Sequence, residues 1–342
     1  MEIIFRISIA FSLLATVLAR DFLPEQYFRD SNYLLERSQS AVTGNSDSFE
    51  KVVKFYSFLR ISEYSIILSA FQWMIFAALL FGCLKFCQKK DKIIYFVSIF
   101  YFLLIPFYGS MLTKEILVAL FLILTHFFAR KLEIPSRFEW LVYIPFLLAI
   151  GISIRNYYFL ILACYIVLHF SFSALKLWRF FFILLIIPTL STFEYATQKI
   201  SNNFGSNIFQ IRMEVVDSLP IKPRTTIMQS AYSENFFENF VNYVKVLLQM
   251  FFPISIAQGS LYNFITFVPI IVITLLICRV FILISGPIPV TPEISLFLAY
   301  LIVATIFEPD LGSFLRHSFP YLPILILGLN GQNILNVKGF GK

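Results

Sequence analysis

The chain has 342 residues, 58% of them hydrophobic and only 14% charged. That apolar fraction excludes a water-soluble domain, whose surface needs far more polar and charged groups. The net charge of +7 comes from basic residues that punctuate apolar runs rather than gathering in a patch, so nucleic acid is not an expected partner. The expected fold class is all-α. It is a polytopic transmembrane helix bundle of about ten spans plus one re-entrant or interfacial segment, with residues 1–342 as a single integral-membrane domain.

Met1–Ala19 holds one early arginine, Arg6, an apolar run and the small-residue ending Ala-Thr-Val-Leu-Ala before Arg20. A signal peptide and a first transmembrane helix share that pattern. The attached helix is preferred, because further spans follow. Arg20–Glu63 is polar with balanced charge and reads as a first extracytoplasmic loop. Helices are then expected at Tyr64–Leu84, Ile93–Tyr108, Ile116–Ala129, Trp140–Ser153, Tyr157–Leu175 and Phe180–Phe193. A second long polar loop, Glu194–Lys245, follows. Val246–Ala257 is short and interrupted by Pro253, which favours a re-entrant or interfacial segment over a span. The last helices are expected at Phe264–Ile284, Ile294–Ile306 and Phe319–Leu329.

Lysine and arginine bias in short connections sets the orientation. Lys85, Lys89, Lys90 and Lys92 make one connection strongly basic and cytoplasmic, and Arg130, Lys131, Arg137, Lys176 and Arg179 fall on the same side if helices alternate. Both long loops then face outward. The four cysteines, Cys83, Cys87, Cys164 and Cys278, lie in or at the ends of apolar runs and read as free, buried thiols. His126 and His169 stand singly in apolar runs and read as packed core residues.

Under this topology the unusual residues collect on the extracytoplasmic face. Asp30 lies in the first outer loop, Lys114 and Glu115 at the mouth of the third and fourth helices, and Arg155 and Asn156 between the fifth and sixth. Glu308, Asp310, Ser313, Arg316 and His317 join the last two helices. Ionisable groups at membrane depth are costly and tend to mark polar cavities or interfaces. Lys114, Arg155 and Arg316 suit a diphosphate, with Asn156 and Ser313 as further substrate contacts. Asp30, Glu115, Asp310 and His317 are the candidate general bases towards a sugar hydroxyl. Outer-loop Tyr27, Tyr33, Tyr56, Tyr232 and Tyr243 are available to stack on sugars. The sequence carries no Gly-rich phosphate loop, no His-Glu-x-x-His and no Gly-x-Ser-x-Gly, so neither cofactor nor metal is expected. No inner loop is long enough for a nucleotide-sugar domain, which makes a lipid-linked donor the expectation.

Four stretches carry a resemblance: Leu23-Pro24 with Tyr27-Phe28-Arg29-Asp30; Ser110-Met111-Leu112-Thr113-Lys114-Glu115-Ile116-Leu117; Arg155-Asn156-Tyr157-Tyr158; and Asp310-Leu311-Gly312-Ser313 with Arg316-His317 and Pro320. In these and in layout the chain resembles bacterial polysaccharide repeat-unit polymerases of the Wzy type. Such polymerases are usually longer and carry arginine-rich outer loops, whereas the second loop here has only Arg212 and Arg224, with Lys199, Lys222 and Lys245.

The resemblance implies joining of polyprenyl-diphosphate-linked oligosaccharide units for O-antigen, capsule or exopolysaccharide at the outer face of the bacterial cytoplasmic (inner) membrane. It also implies membrane lipid, a flippase and a chain-length regulator as partners. An acid just after the first helix, Asp30, is also similar to GT-C-type glycosyltransferases, which add single sugars from a polyprenyl-phosphate donor. A lipid-linked sugar transporter is the third alternative.

Overall fold

The computed structural model describes residues 2–23, 25–39, 48–58, 66–87, 92–131, 136–174, 235–251, 261–284, 290–308 and 310–339. Among these, every regular element is helical. In chain order the α-helices are α1 (Glu2–Val17), α2 (Ala19–Phe22), α3 (Arg29–Gln39), α4 (Ser48–Phe58), α5 (Ile66–Phe86), α6 (Lys92–Tyr108) and α7 (Glu115–Lys131). They continue as α8 (Tyr143–Ser153), α9 (Tyr158–Ala174), α10 (Phe236–Phe251), α11 (Leu261–Ile284), α12 (Pro292–Phe307), α13 (Leu311–Ser318) and α14 (Leu322–Gly339). The expected helix Phe180–Phe193 and most of the loop Glu194–Lys245, including Arg212 and Arg224, lie outside the described residues.

Among the described residues one helix, over Ile66–Lys85, is long and apolar enough to cross a membrane. Shorter apolar helices lie at Lys92–Tyr108, Glu115–Phe128, Phe138–Ser153, Tyr158–Phe172, Val268–Val280 and Pro292–Thr305.

Two compact units divide the chain: Met1–Ala163 with Phe319–Lys342, and Cys164–Ser318. In the first, α1 packs along α6 and α5, α5 also packs on α7, and α14 lies against α5 and α6. The α1 helix is patterned inside out. Its buried face is Ser8, Ser12 and Thr16, whereas Ile3, Ile4, Ile7, Phe11 and Leu14 are exposed. Small polar residues on a contact face let backbones approach closely and allow hydrogen bonds between helices. Trp73 of α5 donates its indole N–H to Ser12 Oγ at 3.0 Å.

Gly109, just after α6, shows the same close packing. A Cβ there would meet Ile105 Cγ2 at 2.8 Å and Phe76 Cδ2 at 2.9 Å, so glycine is required for the approach rather than for its backbone freedom. Phe319 stacks on Tyr101, with ring centroids 4.4 Å apart.

In the second unit, α10 packs on α11 and α12, and α13 packs on the same two helices. The expected boundary between Lys245 and Val246 falls inside α10. That helix runs unbroken from Phe236 to Phe251, with Val246 and Met250 buried and Phe237, Glu238, Lys245 and Leu248 exposed. Its two-sided character, rather than a change of composition at 245, holds it together. The polar stretch Arg20–Glu63 likewise contains α2, α3 and α4.

Three of the expected buried thiols, Cys83, Cys87 and Cys164, are buried, but Cys278 is exposed. It lies on α11 with exposed Leu275 and Ile282, so its face is an outward apolar one.

Candidate functional site

The segment Glu308–His317, expected as a connection, is mostly a helix. Backbone pairing of α12 ends where Glu308 N–H donates to the Ala304 carbonyl at 2.9 Å. Asp310 then caps α13. Ser313 N–H donates to Asp310 Oδ1 and Ser313 Oγ–H to Asp310 Oδ2, both at 2.9 Å. This occupies both carboxylate oxygens in satisfying a helix N-terminus. The site residues Asp310 and Ser313 are therefore brought together as a cap.

One turn on, the chemistry changes. Leu311, Phe314 and Leu315 anchor α13 in the apolar interior, and Tyr300 O–H donates to the Phe314 carbonyl at 3.4 Å. That fixed helix aims His317 back at Glu308, with Nδ1 and Oε1 2.7 Å apart. Both side chains are nearly closed to solvent, at 8% and 3% exposure. A carboxylate on Nδ1 fixes the tautomer and ring orientation of an imidazole and leaves Nε2 as the working atom. Arg316 is half-buried on the neighbouring position. Glu308 belongs to the polar stretch singled out by sequence, but its pairing with His317 appears only once α13 is helical.

The other candidate catalytic and diphosphate-binding residues, Asp30, Lys114, Glu115, Arg155 and Asn156, fall in the first unit. Lys114 and Glu115 are buried at 6% and 5% exposure. Lys114 closes a non-helical stretch from Ser110, and every residue from Ser110 to Glu115 is buried. Its backbone is tied from several sides. Ser110 Oγ–H donates to the Pro106 carbonyl, Leu112 N–H to Ser31 Oγ at 3.3 Å, and Tyr56 O–H to the Thr113 carbonyl at 3.1 Å. Glu115 opens α7, where a carboxylate complements the helix dipole.

Leu34 of α3, Val52 and Tyr56 of α4, and Leu68 of α5 pack with Leu112 in one apolar cluster. Helices α3 and α4 thus pack against the stretch that leads into Lys114 and Glu115. Burial pushes the Tyr56 phenol above its ordinary value of 10.0, and the nearby Glu115 charge adds to that. Tyr56, expected to stack on sugar, is instead 2% exposed and structural. Gln72 of α5 is fully buried beside Tyr56. No sequence signal marked it, since one glutamine in a 21-residue apolar helix has no spacing partner.

Arg155 is half-buried after α8. Its Nη1 donates to the Tyr157 hydroxyl at 2.6 Å, and the guanidinium lies 5.4 Å from that ring's centre. Asn156 is exposed and lends its carbonyl to the Phe159 N–H at 3.0 Å, starting α9. Asp30 sits in the first turn of α3, but its side chain, like those of Tyr27 and Tyr243, lies outside the described residues, as does Tyr232. Tyr33 is exposed and carries the Arg37 guanidinium 5.2 Å from its ring centre. His126 and His169 pack against aromatic rings, Tyr143 at 5.9 Å and Phe170 at 5.8 Å respectively.

Among the described residues no group of three or more His, Cys, Asp or Glu side chains is placed to hold a metal ion. No protein-family model matches the chain, and no curated protein or solved structure matches it at a significant level.

Proposed function

We propose that this chain is a multi-pass membrane glycosyltransferase of about ten spans that joins polyprenyl-diphosphate-linked oligosaccharide units at the extracytoplasmic face of a bacterial cytoplasmic membrane. The observation that carries the reading is the buried Glu308–His317 pair, with Oε1 and Nδ1 2.7 Å apart. Glu308 orients His317 and stabilises the imidazolium it becomes. His317 Nε2 takes the proton of an acceptor sugar hydroxyl as that oxygen attacks the donor's anomeric carbon. The bond from that carbon to the diphosphate oxygen breaks, and its electron pair leaves with the polyprenyl diphosphate.

Arg316, next to His317 on α13, supplies positive charge where the leaving group develops negative charge. The inverted α1, with hydroxyls inward and isoleucines outward, supports a lipid-facing surface, since hydrocarbon tolerates the apolar face that water does not.

The test is to replace His317 by glutamine in cells that make the polymer. Lipid-linked single units should accumulate while membrane-inserted protein stays at its normal level. Truncated units would favour the single-sugar transferase, and units retained on the inner face would favour transport. Unchanged polymer in both His317→Gln and Glu308→Gln would overturn the reading.

A further inference from the structure

A cavity lies in the first unit at the start of α6, the opposite end of that helix from Lys114 and Glu115. It sits between the N-terminal half of α1, the last turns of α5 and the first turns of α6, with a volume of about 270 Å³. Phe5, Ile9, Leu84 and Ile94 supply its apolar walls. Phe5 is held edge-on by Tyr95 and Phe102, at 5.8 and 5.7 Å between ring centres. At the rim stand Glu2 and Arg6, whose side chains pair at 2.7 Å and remain exposed.

The other charged groups described at these helix ends are both basic. Lys85 is in the last turn of α5 and Lys92 is the first residue of α6, and both are exposed. Around the rim, exposed Ile3, Ile7, Ile93 and Phe96 form an apolar skirt. An apolar slot whose lining carries the Glu2–Arg6 pair, with exposed Lys85 and Lys92 at the helix ends beside it, matches an amphiphile with an anionic head. Basic pockets between transmembrane helices on the cytoplasmic side recognise such headgroups.

We infer that this cavity is a binding site for one anionic phospholipid of the cytoplasmic leaflet, its acyl chain between α1, α5 and α6 and its phosphate at Arg6 and Lys92. The inference rests on the membrane reading of the chain but not on its catalytic reading. Glu2 is the built-in competitor, because its carboxylate already occupies Arg6. The site therefore takes a headgroup that displaces a carboxylate, and a net-neutral phosphatidylcholine gains less from the same exchange.

The test uses the full chain in nanodiscs of phosphatidylcholine with a minor fraction of phosphatidylglycerol, followed by native mass spectrometry of the released protein. The wild type should retain one phosphatidylglycerol in preference to phosphatidylcholine. Arg6→Ala and Lys92→Ala should each weaken that preference about five-fold, and Glu2→Gln should strengthen it. Ile94→Trp, which fills the slot and leaves every charge in place, should abolish retention.

Equal retention of both lipids would overturn the site. So would a preference for phosphatidylglycerol that Ile94→Trp leaves intact, because that is surface attraction alone. A chain that stays soluble without detergent and does not float with vesicles would remove the membrane reading itself, and this site with it.

Discussion

The two buried polar centres are built in opposite ways. Glu308 and His317 are nine residues apart, and one capped helix brings them to 2.7 Å. The Lys114–Glu115 mouth is assembled from far along the chain: Ser31 reaches Leu112, and Tyr56 reaches Thr113. The first centre needs α13 to form and dock. The second needs α3, α4, α5 and the end of α6 to be in place together. Substitutions near the first should therefore act on chemistry or on one helix, whereas substitutions near the second should loosen a whole unit.

The largest effect expected is on chemistry. His317→Gln should lower glycan transfer by about 10²–10⁴-fold, the usual worth of a positioned general base, with thermal unfolding in detergent nearly unchanged. A fall in melting temperature that accounts for the lost activity would make the pair a packing feature and erase the contrast between the centres.

Gly109→Ala comes next. A Cβ pressed to within 3 Å of Ile105 and Phe76 should cost about 1–3 kcal/mol of stability, read as a lower unfolding midpoint with the second unit's chemistry intact in what remains folded. An unchanged midpoint would show that the end of α6 is looser than its contacts imply.

Asp310→Ala tests the local centre without touching its histidine. Loss of the cap should cost about 1 kcal/mol, and Asp310→Asn should recover most of it. If Asp310→Asn is instead as inactive as His317→Gln while remaining folded, the carboxylate is chemical rather than structural.

Tyr56→Phe should be the mildest, about 0.5–1 kcal/mol for one buried hydrogen bond, and it carries a pH signature. The native phenol holds its proton beyond its ordinary value of 10.0, whereas the unfolded chain releases it there. Its contribution is therefore complete below pH 10 and is lost as pH climbs above it, by at most about 1.4 kcal/mol per pH unit. Unfolding midpoints measured from pH 9 to 11 should fall less steeply in Tyr56→Phe than in the wild type. Parallel slopes would mean that the phenol is not buried as described.

Composition and run length are enough for the helical class, and for the approximate places of α5 to α9, α11, α12 and α14, because apolar runs punctuated by charge allow few other solutions; α13 falls where only a connection is expected. The polar stretches were harder to read. Arg20–Glu63 looked like loop because amphipathic helices such as α4 carry their apolar residues at intervals, and only docking on Leu68 and Leu112 shows what those intervals are for. Asp310, Ser313, Arg316 and His317 were recognisable as a group from residue type and proximity. Their roles were not: capping and carboxylate-to-imidazole pairing depend on where helix α13 begins and how it turns. Lys114 and Glu115 stood out as charges in an apolar context, yet their burial under α3 and α4, and the presence of Gln72 nearby, come from contacts dozens of residues apart. Local periodicity carries no record of such contacts.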